Sequence, residues 1–457
     1  MTNNAVALKR DLEASVRGAV HVPGDPSWDD ARQAWNLTVD QHPLAVVDVA
    51  DADDVSAAVR CARRLGLPVV AQSTGHAATD DGVTGAILLR MHALDSVEVD
   101  TDRKVARVGG GAMWGPVLTE LDGTGLLGLG GTAPHISVVG YTLGGGLSWF
   151  GRRHGLASSA VRAVDLVTAS GEHTTVTAAS DPELFWALRG FGGEFGIVTA
   201  MEFDLFDSPG TIGVRLLFPA GDSHAVLEAF AALTATAPPE LSATVTLLHL
   251  PDAPFLPEDR RGRSFVAVNA VHLGTLDECT ALLSGTLAAG TPLENTIEPL
   301  AMADLGIVAD DPVDPSPGVD RGTLLHTFDS TTIDDLLEVA GPDSGTPVLA
   351  VSIRHLGGAL DESPAAAAAA GAVAEPYLLF SLGSPGLGDA TLDDLDAAQL
   401  ALPKALGEAA TDRALYNFLG RSSPERAYDA ATLDRLRALK KERDPTGTFR
   451  MTRRLPD

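Results

Sequence analysis

The sequence predicts an α+β protein in two main parts, and three observations point there. Residues 45–199 read as short apolar strands interleaved with helices and tight hairpins. Past Asp207-Ser-Pro-Gly210 the units lengthen, as suits an antiparallel sheet covered by helices on one face. The chain has 457 residues, 45% of them hydrophobic and 21% charged, enough for two or three domains around sizeable cores. The expected division is 1–206, 207–405 and a closing segment, 406–457.

In order, residues 45–49 form a strand. Asp51-Ala-Asp-Asp opens a helix whose early carboxylates suit the dipole, with Val55, Val59 and Leu65 on the apolar face and Gly66 as its stop. A strand at 67–70 runs into the polar loop Gln72-Ser-Thr-Gly-His76, and another strand follows at 86–91. Strands at 97–99 and 105–108 flank the turn Asp100-Thr-Asp-Arg103, and residues 116–121 make a short helix. A second hairpin spans 164–177. Ser180-Asp-Pro-Glu183 reads as a capping box for a helix through Leu188, before a strand entered at Phe195. Beyond 210, strands are expected at 214–218, 243–250 and 265–271, with helices at 225–233 and from Leu276. Residues 310–317 are a loop, and 364–370 are low-complexity, a helix or a variable surface segment. The chain closes with an apolar stretch at 414–419 and a helix at 431–443 that stops at Asp444-Pro445.

Composition excludes several functions. A net charge of −28 repels nucleic acid and anionic membrane surfaces. No stretch approaches the roughly 20 apolar residues of a membrane span, and the first residues lack an apolar signal core, so a cytoplasmic location is expected. Two cysteines, Cys61 and Cys279, give no disulfide framework, and no Cys/His spacing suggests a metal. From Thr411 onward eleven Lys and Arg face seven Asp and Glu. That excess is either a solvated basic helix or a tail docked on the acidic body.

Three glycine-bearing stretches carry chemistry. In Gln72-Ser-Thr-Gly75-His76, successive small residues expose amides that can cradle an anion. The stretch from Gly128 to Gly146 ends in Gly144-Gly-Gly, a run costly in backbone entropy that close approach to a bulky ligand explains. It matches neither the dinucleotide fingerprint nor a phosphate-binding loop. In Arg189-Gly-Phe-Gly-Gly-Glu194-Phe-Gly, Gly192, Gly193 and Gly196 again favour close packing, and the stretch is either a further close approach of backbone or an ordinary helix-to-strand connection. In this order and spacing, together with Arg354-His-Leu-Gly-Gly-Ala-Leu360, Pro376-Tyr-Leu-Leu-Phe380 and Asp444-Pro-Thr-Gly-Thr-Phe449, these stretches resemble the berberine bridge enzyme-like oxidases of the vanillyl-alcohol oxidase class.

The resemblance implies a PCMH-type FAD-binding domain of two α/β subdomains, a substrate domain, and a closing segment that returns to the FAD domain. It implies that Ala71, Gln72, Ser73, Thr74, Gly75 and Ala77 wrap the FAD pyrophosphate. His76 would bond to the flavin 8-methyl carbon, to which a neutral imidazole can add. A cysteine that forms a second bond in many members falls at Ala133, so a single link is expected. Thr132, Ser137, Val138, Val139, Gly140, Tyr141, Gly144, Gly145 and Leu147 would line the flavin. Val198 would meet the adenine side, and Asn417 would face the ring as a hydrogen-bonding group.

One departure concerns chemistry. The family's Tyr-x-Asn-Tyr reads Tyr416-Asn-Phe418 here, after Leu415, so the tyrosine that serves as base in many members is Phe418. Candidate replacements are Tyr416, which in an extended segment shares a face with Phe418, and His249, His272 and Tyr377. A neutral amine needs no such base, which favours amine over alcohol oxidation. The expected activity is an FAD-dependent oxidase, in which hydride leaves a small hydrophobic substrate and O2 becomes hydrogen peroxide. The alternatives are a dehydrogenase with another acceptor and a non-catalytic flavin protein. A monomer or homodimer is expected.

Overall fold

The computed structural model describes residues 3–79, 82–254, 256–362, 367–451 and 453–456. The first part holds two sheets. Strands Val20–His21, Ala45–Asp48, Ile87–Arg90 and Val69–Gln72 lie side by side in that order, the last three parallel. The helix Ala52–Leu65 covers them, capped by the Asp51 carboxylate and ended by Gly66 at φ +68°. Val55, Ala58, Val59, Cys61 and Ala62 are buried, but Leu65 is 41% exposed. Helical spacing from Val55 and Val59 leads to Ala62 rather than Leu65, which corrects the expected face.

The second sheet is antiparallel, in the order Val97–Asp100, Val105–Gly109, Ile197–Asp204, Val161–Val167, His173–Val176. The helix Pro182–Phe191 is capped by Asp181, whose side chain accepts from the Leu184 amide, and Pro182 stands in its first turn. The expected cap at Ser180 is therefore one residue early. Ser180 instead accepts from the Thr177 amide, and Glu183 is free to pair with Arg435.

The second part is one antiparallel sheet of seven strands, in the order Glu294–Pro299, Thr211–Pro219, Ser264–Leu273, Leu241–His249, Ala350–His355, Tyr377–Gly383, Val319–Leu325. Side chains alternate between its faces. Val245, Val351, Ile353, Leu379 and Leu325 join a core with Phe230, Ile333 and Leu402 of the helices behind. The opposite face carries Asp320, Gly322, Phe380 and Arg354, with Gly322 paired to Phe380 and Arg354 to Leu378.

The closing segment docks back on the first part. Helix Ala430–Arg443 sends Arg435 to Glu183 and Arg443 to Asp181, so the basic tail meets the acidic body. The Asp444 side chain, wholly buried, accepts from the amides of Thr448 (2.9 Å) and Phe449 (2.8 Å) and from Lys440 Nζ (2.9 Å). The turn so formed presents the Thr448 carbonyl to the Val69 amide (2.7 Å), while the Arg450 amide donates to the Val69 carbonyl (3.0 Å). Of the low-complexity run, residues 364–366 lie outside the described residues. Ala369 and Ala370 bond through their amides to the Trp186 and Arg189 carbonyls. Among the described residues no helix is long and apolar enough to cross a membrane, and no cluster of His, Cys, Asp or Glu is arranged to hold a metal ion.

Candidate active site

A cleft separates the first part from the front face of the seven-stranded sheet. One wall is the loop leaving strand Val69–Gln72. Gly75 turns it at φ +88°, where a Cβ would lie 2.6 Å from Gln72 Nε2 and 3.0 Å from Ala34, so only glycine fits. Ser73 Oγ anchors the loop on the Gly110 carbonyl (3.0 Å), and the Trp35 amide binds the Thr74 carbonyl (2.9 Å). Among the described residues, the amides of Thr74, Gly75, His76 and Ala77 donate to no protein acceptor.

His76 projects from this loop into a cluster of three rings that touch one another. The Trp35 ring stacks on it at 4.0 Å and the His135 ring lies at 5.1 Å. Nδ1 meets Thr74 Oγ1 at 2.7 Å, while Nε2 is buried without a partner. Burial, with His135 alongside, holds the His76 imidazole down at about 3, so it is neutral at physiological pH. In the tautomer where Nδ1 donates to Thr74, Nε2 carries a free lone pair.

Ala71, Gln72, Ser73, Thr74, Gly75, Ala77, Thr132, Ala133, Ser137, Val139, Gly140, Tyr141, Leu147, Val198 and Asn417 line the same cleft. Three of the sequence's candidates do not. Val138 is fully buried in the core. Gly144 and Gly145 sit behind the wall, where Gly144 makes room for Asn417: a Cβ there would fall 1.8 Å from Asn417 Oδ1. Gly146 likewise yields to the Tyr141 ring. Gly144 and Gly146 thus make room for protein side chains, Asn417 and Tyr141, while Gly145 is held at φ +104°. Asn417 Nδ2 donates to the Tyr141 carbonyl at 2.9 Å.

Of the candidate bases, only Tyr416 reaches the cleft. Residues Tyr416–Phe418 form a 3₁₀ turn rather than the extended segment expected, so Tyr416 and Phe418 diverge. Phe418 meets Phe380, while Tyr416 packs on Phe191 and Tyr428 and donates to the Arg453 carbonyl (3.3 Å). Burial pushes the Tyr416 phenol up, away from the range of a base. Tyr377 bonds Thr234 inside the second core. His249 bonds Ser264 and the Ala340 carbonyl. His272 is buried beside Glu278 on the far side of the sheet's long strands, away from the cleft lining.

Sequence reasoning missed Trp35, His135, Asp320, Arg354 and Phe380, all of which line the cleft. The strand alternation Val351, Ile353 inward and Arg354 outward was the available signal for Arg354.

Comparison with known proteins bears on this arrangement. The sequence profile of a family described as FAD binding domain matches residues 43–177, which span the His76 loop, Ala133 and Tyr141. The fold superposes on a BBE-like protein of Physcomitrella patens with a TM-score of 0.86, 21% identity, and coverage of 98% of this chain and 99% of that one. Residues 43–177 therefore carry an FAD binding domain, within a fold shared with that BBE-like protein. Among proteins similar in sequence, an FAD-dependent monooxygenase of Fusarium proliferatum is 36% identical over 49% of this chain and 43% of its own length. The (R)-6-hydroxynicotine oxidase of Paenarthrobacter nicotinovorans is 35% identical over 43% of each chain. The chain thus spans less than half the length of these two curated relatives. The PCMH-type reading of the fold agrees with the structural neighbour, whereas Arg354, Phe380 and Asn417 lie outside the matched FAD domain.

Proposed function

We propose that this protein is an oxidase that carries FAD on a single covalent bond to His76 and removes hydride from a small organic substrate, an amine rather than an alcohol. One observation carries the reading: a neutral imidazole with an unpartnered Nε2 faces a cleft whose adjoining loop offers four free amides. These groups fit FAD, the amides of residues 74–77 suiting a pyrophosphate and Nε2 suiting attack on an electrophilic carbon. Ala133 offers a methyl group where a second bond needs sulfur, hence the single link.

Bound FAD would supply the two-electron acceptor, returned to its oxidised state by O2 with release of peroxide. The protein's own residues hold the loop, keep His76 neutral and fix Asn417 on the Tyr141 carbonyl. Phe418 cannot exchange a proton, and Tyr416 is committed to Arg453, so neither takes a hydroxyl proton from an alcohol. A neutral amine needs no such acceptor. The relative named as a nicotine oxidase is in keeping with that class.

The test is denaturation of the purified protein in acid. Yellow colour that stays with the pellet, and is lost in His76→Ala, supports the link; colour in the supernatant refutes it. Peroxide release with cyclic amines but not secondary alcohols supports the substrate class, and turnover of alcohols alone overturns it.

A further inference from the structure

The cleft holds a cation without a counter-ion. Arg354 stands on the front face of the sheet and lines the cleft, with its guanidinium 5.8 Å from the Phe380 ring centroid and 5.2 Å from that of Phe418. Its Nε is buried without an acceptor, and among the described residues the guanidinium makes no hydrogen bond or ion pair. Asp311, also on the cleft wall, is the carboxylate whose field reaches it, at longer range than an ion pair. Two other arginines packed into this part of the fold are committed: Arg152 donates to the carbonyls of Leu356 (2.8 Å), Pro238 (2.7 Å) and Leu241, and Arg453 to that of Gly420 (3.1 Å).

A buried, unpaired guanidinium is costly unless something fills its fork. Its five donors match a carboxylate in bidentate geometry, and Phe380 and Phe418, packed edge to face beside it, offer an apolar surface to the rest of the molecule. Gly322 makes the slot possible, since a Cβ there would come within 2.7 Å of Phe418 Cβ.

We propose that Arg354 binds a carboxylate of the substrate, and that Phe380 and Phe418 hold the apolar body beside it. The substrate class is then an amine that also carries a carboxylate on a planar or apolar frame. This rests on the oxidase reading above for the reaction, though not for the anion site itself. The amides at residues 74–77 and the cation at Arg354 belong to different parts of the fold, so a cofactor pyrophosphate on the former leaves the latter free.

Benzoate serves as the probe, with benzamide as its neutral counterpart, titrated calorimetrically into the purified protein as isolated. Benzoate is expected to bind more tightly than benzamide. Arg354→Met should weaken benzoate by at least about thirtyfold, the loss typical of truncating one partner of a buried charge pair, and leave benzamide unchanged. Arg354→Lys, which keeps the charge but not the fork, should retain part of the preference. Equal binding of the two probes, no measurable benzoate binding, or an unaffected Arg354→Met variant would overturn the proposal. So would a change in the visible spectrum of ligand-free Arg354→Met with the benzoate preference intact, because the cation would then serve the flavin ring. Arg354-dependent benzoate binding by protein lacking flavin would uphold the site and reject the flavin reading; covalent flavin without benzoate preference would do the reverse.

Discussion

Replacing Asp444 by Asn tests whether the closing segment holds the His76 loop in place. The buried carboxylate accepts from two amides and from Lys440. Asparagine keeps one acceptor oxygen and turns an amide toward a donor, so two charge-assisted bonds are lost at about 1.5–3 kcal/mol each. Lys440 still reaches the Glu194 and Phe449 carbonyls, which limits the total to about 3–5 kcal/mol. With unfolding entropy near 2.1 cal/mol/K per residue, a 457-residue chain has about 1 kcal/mol/K, so the midpoint should fall by about 3–5 °C. Burial alone would raise the Asp444 carboxyl, but the Phe449 amide, Lys440 and the Thr448 amide together hold it below the usual carboxylate range. Its contribution is therefore present above about pH 4, the unfolded value, and is lost as pH falls through the lower folded value. Wild type and variant should differ at pH 7 and converge in strong acid. Circular dichroism melts across pH measure both, and retention of yellow colour on gel filtration reports the loop. A shift under about 1 °C, or a gap that persists unchanged into acid, would refute the reasoning.

Other perturbations follow from the same contacts. Gly144→Ala should displace Asn417 and destabilise by about 1–3 kcal/mol, read as a lower midpoint and an altered flavin spectrum. Phe418→Tyr should place a phenol beside Arg354, whose charge lowers its pKa, and raise turnover of secondary alcohols by about a hundredfold, more strongly at higher pH; no gain would count against the missing-base argument. Burial holds His355 at about 3 in the folded state. The unfolded chain therefore binds a proton that the folded chain refuses as pH falls from about 6.5 toward 3, and stability drops by up to about 1.4 kcal/mol per pH unit in that window. His355→Leu should flatten that slope in urea titrations at pH 6 and pH 4, and an unchanged slope would show that other groups set it.

Local signals were readable in the sequence because they depend on near neighbours. The Asp51 cap, the Gly66 stop and the Gly75 turn each follow from one residue's backbone preference, and the structure has all three. What failed depended on distant partners. Ser180 was a plausible cap, but Pro182 fits the first turn only when Asp181 takes that role. Tyr416 looked close to Phe418 under an extended backbone, and the 3₁₀ turn separated them. His249, His272 and Tyr377 were chosen by residue type, while their burial and hydrogen bonds come from sheet pairing that spacing does not reveal. Arg354 was visible inside its motif, yet its solitude is a property of the assembled cleft, since it records which carboxylates do not reach it.

The bond between Val69 and the turn at Thr448–Arg450 also sets an order of events in synthesis. Strand Val69–Gln72 leaves the ribosome long before the segment that completes its outer edge. The edge must wait as an open ladder, and the loop that bears His76 inherits its looseness. Under the proposed linkage, attachment at His76 is therefore expected only after residues 444–450 have emerged and closed that edge.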